Sequence, residues 1–194
     1  MNLFEVRIHG RGGQGVLSAA EMLSVAVFLE GNFAQAIPNF GSERMGAPVR
    51  AYCRFSDREI RSREPVIEPN ALIIQDATLI NQAETFAGIS DDAWVLINSS
   101  RDLEELGIER YIRNISPARI CVVDATGLAR KHIGKPIPNA GLLGGFAAIT
   151  GLLKFESVEQ AIMQKFSGPV GKGNVKAALE AYSQLVASAE HASA

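Results

Sequence analysis

The chain has 194 residues, 47% hydrophobic and 21% charged, so it can bury roughly 70% of its unfolded surface in one core, and a single compact domain is expected. Nineteen Lys and Arg against 21 Asp and Glu leave a net charge of −2, which supplies no chain-wide field for holding nucleic acid. Two distant cysteines, Cys53 and Cys121, and no His cluster at ligand spacing argue against a disulfide scaffold, a zinc site or an iron–sulfur site, and fit a reducing cytoplasm.

Met1 to Arg7 is too charged for a signal peptide. Leu3 to His9 alternates and runs into Gly10-Arg11-Gly12-Gly13-Gln14-Gly15, the pattern of a strand entering a glycine turn. Val16, Ala20, Leu23 and Val27 then keep helical spacing up to Gly31, a C-cap candidate, which predicts a helix over about 15–30. Residues 33–37 and 49–55 read as second and third strands, separated by a loop with two prolines and two glycines. Ala71–Ile74, Trp94–Ile97 and Ile120–Val123 are short apolar runs followed by Gln75-Asp76, Asn98-Ser99-Ser100 and Asp124. Buried parallel strands that carry a ligand site at their carboxyl ends look like this. Between and around them, Arg58, Arg61 and Arg63 interleave with Glu59 and Glu64 as a solvated turn. Gly141 to Leu153 is a small-residue helix, and Ala140 to Leu153 falls short of the ~18 apolar residues of a membrane span. Ser157-Val158-Glu159-Gln160 has capping-box spacing, and Val175, Leu179, Tyr182 and Val186 form the stripe of a last helix. The expectation is a single Rossmann-like α/β domain over 1–190, a mostly parallel sheet flanked by helices, with 191–194 a frayed tail.

A glycine loop between a strand and a helix turns backbone N–H groups toward an anion at the helix N-terminus, so a phosphate or diphosphate is the natural ligand. The second strand ends Gln35-Ala36-Ile37-Pro38, without the acidic residue that holds an NAD ribose. Val16-Leu17 stand where a P-loop needs Lys followed by Ser or Thr, which removes the nucleotide-hydrolase alternative. His9 has no serine or cysteine at motif spacing and is expected to be structural, and Cys53 and Cys121 to be inert core residues.

Arg7-Ile8-His9-Gly10-Arg11-Gly12-Gly13-Gln14-Gly15, Ala34-Gln35-Ala36, Asn39 through Arg50, Ile137-Pro138-Asn139 and Asn174 through Ala178 together resemble the gamma subunit of the 2-oxoacid:ferredoxin oxidoreductases, of which the pyruvate enzyme is the best known. That resemblance implies a subunit of a multi-subunit enzyme, inactive alone, that oxidatively decarboxylates a 2-oxoacid with coenzyme A to acyl-CoA and carbon dioxide. It implies alpha, beta and ferredoxin-like delta partners in an obligate hetero-oligomer, ferredoxin as electron acceptor, and thiamine diphosphate, Mg and 4Fe–4S clusters held by those partners. No nucleic-acid or membrane partner is expected. For this chain the resemblance implies a coenzyme A region built from Gly10, Arg11, Gly12, Gly13, Gln14 and Gly15, then Ser42, Glu43 and Arg44, then Asn98 and Ser99, with Asn139 facing the thiamine-bearing subunit; no residue is assigned a catalytic role. An indolepyruvate- or phenylglyoxylate-type member linked to NAD through a flavin subunit, and a structural subunit that binds no ligand, are the alternatives.

Overall fold

In a computed structural model, described over residues 3–38 and 45–192, six strands form one sheet in the order β2-β3-β1-β4-β5-β6. The strands are β1 (Phe4–Arg11), β2 (Phe33–Pro38), β3 (Pro48–Ser56), β4 (Ala71–Ile74), β5 (Trp94–Asn98) and β6 (Ile120–Val123). β1, β4, β5 and β6 pair in parallel, whereas β3 runs antiparallel to both β1 and β2. The sheet is therefore mostly parallel, with β3 inserted between the two strands that α1 (Val16–Leu29) connects.

Strand alternation sends each face to its own core. Val6, Ile8, Ala71, Ile73 and Leu96 point into a large cluster with α1, α4 (Ala125–Ile133), α5 (Asn139–Thr150), α6 (Phe155–Lys165) and α7 (Gly168–Ala192). Leu72, Ile74, Val95 and Ile97 point the other way, onto Ile80, Phe86 and the short helices α2 (Leu103–Leu106) and α3 (Glu109–Ile112). Beyond β1 the second face turns polar. Arg7 is 3% exposed and donates to the carbonyls of Ile67, Thr85 and Ala87, and buried Arg54 pairs with Glu5 at 2.5 Å. These bonds let charged side chains be buried on a half-sheet that lacks a long covering helix.

Several local expectations change. Ser157 lies inside α6, whose N-cap is Lys154, and its hydroxyl donates to Glu30 at 2.7 Å. The capping box that does form is Asp102 with Glu105, ahead of α2. On α7 the expected stripe borders the buried face: Val175 and Tyr182 pack against the core, Leu179 is 47% exposed, and Ala177, Ala178, Ala181 and Leu185 form the fully buried centre. The cause is the close approach of α5, where a Cβ on Gly144 would stand 2.1 Å from the Ala178 carbonyl oxygen. A contact that tight selects the small-residue face of α7 over its bulkier one. Helix α5 starts at Asn139, so that side chain sits in the first turn. His191 continues α7 where a frayed tail was expected. Among the described residues no helix is long and apolar enough to cross a membrane.

Candidate functional site

At the carboxyl ends of β1 and β4 the chain departs in opposite directions, from β1 into α1 on one face and from β4 toward Ile80 and Phe86 on the other. Such a divergence opens a crevice at the edge of an α/β sheet. The glycine loop occupies it. Gly13 and Gly15 adopt φ of 91° and 71°, the left-handed conformation that favours glycine. Side chains at Gly10 and Gly15 would also collide, with Val16 Cγ2 at 2.6 Å and Asn139 Nδ2 at 2.5 Å.

The polar side chains of the loop hold it in place. Gln14 Oε1 accepts from the Arg11 N–H at 2.8 Å, and its Nε2 donates to Asp76 at 2.6 Å. Arg11 reaches Asp76 at 3.4 Å, donates to Thr78 Oγ1 at 2.7 Å and to the Gly46 carbonyl at 2.9 Å. Partial burial works against the Asp76 anion, but hydrogen bonds from Thr78 and Gln14, with Arg11 alongside, hold its carboxyl below the ordinary carboxylate value. Gly12 exchanges backbone bonds with Gly46 and Ala47. What remains is a row of donors: the N–H groups of Gly13, Gly15 and Val16 have no acceptor among the described residues. They stand at the start of a 14-residue helix, where the dipole favours an anion.

A cavity of about 430 Å³ adjoins them, walled by Gly12, Gly13, Gln14, Met45, Gln75, Thr126, Arg130 and Pro136 to Pro138. Sequence reasoning assigned no role to Gln75, Thr126 or Arg130. Gln75 follows an apolar strand and was legible as a strand-end polar residue. Thr126, in the first turn of α4, and Arg130, in its last, are about one helical turn apart, a spacing that puts both on one face.

Asn98, Ser99 and Asn139 are not on the cavity wall. Asn98 Nδ2 donates to the Gln75 carbonyl at 2.7 Å and to Thr126 Oγ1 at 2.8 Å, while its Oδ1 accepts from the Thr126 N–H at 3.1 Å. Ser99 Oγ accepts from the Arg101 N–H in the turn after β5. Asn139 is 3% exposed and ties α5 to the glycine loop, its Nδ2 donating to the Gly15 carbonyl at 3.0 Å. Asn98 and Asn139 thus tie β5 and α5 to residues of the cavity wall and the glycine loop. Ser42, Glu43 and Arg44 lie outside the described residues.

A larger cavity, about 550 Å³, opens on the opposite face between His9, Arg50 and Glu84, with Arg50 and Glu84 paired at 3.4 Å. Burial, with Arg7 and Arg50 nearby, pushes the His9 imidazole down to about 3, so it is neutral at physiological pH. Cys53 is fully buried and burial drives its thiol upward, away from thiolate chemistry.

The sequence pattern of the pyruvate ferredoxin/flavodoxin oxidoreductase family matches residues 5–184. The chain belongs to that family. Among its relatives, the pyruvate/ketoisovalerate oxidoreductases common subunit gamma of Thermococcus litoralis is 43% identical over 184 residues, covering 95% of this chain and 98% of the relative. The crystal structure of the pyruvate oxidoreductase subunit PORC of Thermotoga maritima superposes with a TM-score of 0.81 at 36% identity, over 94% of this chain and 97% of that one. A 2-oxoglutarate:ferredoxin oxidoreductase from Magnetococcus marinus, solved with 2-oxoglutarate, coenzyme A and succinyl-CoA, shares the fold at a TM-score of 0.70 and 15% identity, this chain spanning 32% of its length. Family membership thus covers the glycine loop, the switch-point crevice and α4 in one continuous match.

Proposed function

We propose that this chain is the gamma subunit of a multi-subunit 2-oxoacid oxidoreductase of the pyruvate:ferredoxin type, and that the cavity beside its glycine loop receives coenzyme A. The observation that carries this reading is that Gly13, whose N–H has no acceptor among the described residues, and Arg130 line one cavity at the loop that opens α1. Amides at a helix start and a planar guanidinium are the donors that a diphosphate requires. Ser42, Glu43 and Arg44 precede Met45 of the cavity wall in sequence and stay in the proposal as further contacts.

In the overall reaction the 2-oxoacid loses carbon dioxide, an electron pair leaves for ferredoxin, and the coenzyme A sulfur takes the acyl group as its thiol proton is released. Thiamine diphosphate in a partner subunit supplies the carbanion stabilisation for this chemistry. The contribution of this chain is to bind and orient: the loop amides and Arg130 hold the diphosphate, so the thiol end projects toward the partner. Electron-carrying clusters and the ferredoxin contact belong to the alpha, beta and delta subunits in this reading.

The test is Arg130→Ala in the assembled complex. The KM for coenzyme A is expected to rise about tenfold or more, with kcat at saturation and the KM for the 2-oxoacid unchanged, the mark of lost ground-state binding. An unchanged KM for coenzyme A overturns the placement.

A further inference from the structure

The methionines among the described residues sit in different surroundings. Met22 is 1% exposed in the core and Met163 is 37% exposed on α6, whereas Met45 is 87% exposed. Met45 also belongs to the wall of the cavity beside the glycine loop. Its sulfur lies against Gly13: a Cβ on that glycine would meet Met45 Sδ at 2.9 Å and Cε at 3.0 Å. Backbone bonds set this position. The Gly46 N–H donates to the Gly12 carbonyl at 3.0 Å, the Gly12 N–H to the Ala47 carbonyl at 2.9 Å, and Arg11 to the Gly46 carbonyl at 2.9 Å. Met45 is thus held next to the glycine whose N–H has no acceptor among the described residues. A thioether is only a weak acceptor, so it leaves that N–H open to a stronger one.

We propose that Met45 is an oxidative modification site that controls this cavity: a peroxide converts its thioether to the sulfoxide, and the new oxygen weakens the binding of the ligand's phosphates. The proposal rests on the cavity being the coenzyme A site. In the step, the sulfur lone pair takes one oxygen of hydrogen peroxide. An S–O bond forms, the O–O bond breaks, sulfur gives up two electrons, and the peroxide leaves as water. The sulfoxide oxygen carries negative charge density and accepts hydrogen bonds strongly. Beside Gly13 it competes with a phosphate oxygen for the loop N–H and repels the phosphate. Exposure by itself makes a methionine a site of damage; the contact with Gly13 is what makes oxidation of this one act on binding. Methionine sulfoxide reductase returns the thioether, so the change is reversible.

The experiment uses the assembled complex with the wild-type chain and with Met45→Leu, which keeps an apolar side chain and removes the sulfur. Each is treated with limiting hydrogen peroxide under anaerobic conditions, and oxidation of residue 45 is followed by peptide mass spectrometry. The KM for coenzyme A is then compared with that of the same protein before treatment, a quantity that does not depend on how much of the complex is inactivated by damage elsewhere. The expected result is a rise of about tenfold in wild type that tracks the oxygen gained by Met45, is reversed by the reductase and is missing in Met45→Leu. The KM for the 2-oxoacid stays where it was. An equal rise in Met45→Leu assigns the effect to another group and overturns the proposal. An unchanged KM with Met45 oxidised, or a Met45 that the assembled complex shields from peroxide, does the same. Arg130→Ala separates this inference from the reading beneath it: a raised KM for coenzyme A there, with oxidised wild type unaffected, removes the role of Met45 and leaves the coenzyme A site standing.

Discussion

His9 shows how one residue can link the fold to pH. It sits in the first strand, 5% exposed, beside Arg7 and Arg50, and its imidazole resists protonation down to about 3. In the unfolded chain the same group takes a proton near 6.5. Between those values the unfolded state binds more protons, so stability is unaffected above the window and falls as pH drops through it. Urea unfolding at about pH 7 and about pH 5, before the carboxylates titrate, should show a loss of about 2 kcal/mol from this residue. His9→Gln should remove most of that difference. The expectation that His9 is structural follows from the absence of a nucleophile at motif spacing, but its burial does not. Its burial depends on segments distant in sequence, Pro48 to Arg50 and Gln82 to Thr85, that fold beside it.

Between elements, a tight constraint is the crossing of α5 and α7. A methyl on Gly144 would meet the Ala178 backbone at 2.1 Å, whereas one on Gly145 would meet only Leu185 and Leu96 side-chain ends at 3.1 and 3.3 Å. Gly144→Ala must push two helices apart and should cost about 1–3 kcal/mol or more in chemical denaturation. At Gly145 the flexible neighbours can yield, and the ~1 kcal/mol gain in helix propensity from Gly to Ala offsets the crowding. That variant should stay within about 1 kcal/mol of wild type, and equal costs at both positions would contradict this packing. The small-residue character of α5 was legible in sequence as a sign of close backbone approach. Its partner was not, because the periodicity of α7 supports two stripes and only contact with Gly144 selects the one through Ala178.

Across the whole molecule, two apolar clusters share one sheet. β4 and β5 alternate side chains into both, with Ile73 and Leu96 on one face and Ile74 and Ile97 on the other. Damage to either cluster should therefore lower one common unfolding transition. Leu143→Ala in the first cluster and Ile108→Ala in the second, both nearly inaccessible to solvent, are each expected to cost about 2–5 kcal/mol. Calorimetry should record a single peak in both variants. A second transition in either would show the two faces to be separate cooperative units.

Residue order alone determined the α/β class, the glycine turn before α1 and the strand-end positions of Gln75 and Asn98. Each is a local pattern of period and turn chemistry, and such patterns are carried by neighbours in the chain. The division of labour within the site was decided only in three dimensions. Arg11 and Gln14 read as ligand contacts in a glycine-loop motif, and Asp76, 62 residues beyond Gln14, ties both to the end of β4 while Gln14 stays part of the cavity wall. Asn98 and Asn139 likewise spend their amides on Gln75, Thr126 and Gly15. Arg130 reaches the cavity from a helix whose sequence carries no motif. The physical reason is that a polar side chain declares its chemistry in sequence but not its partner. The partner is set by which distant groups the packed core leaves unsatisfied.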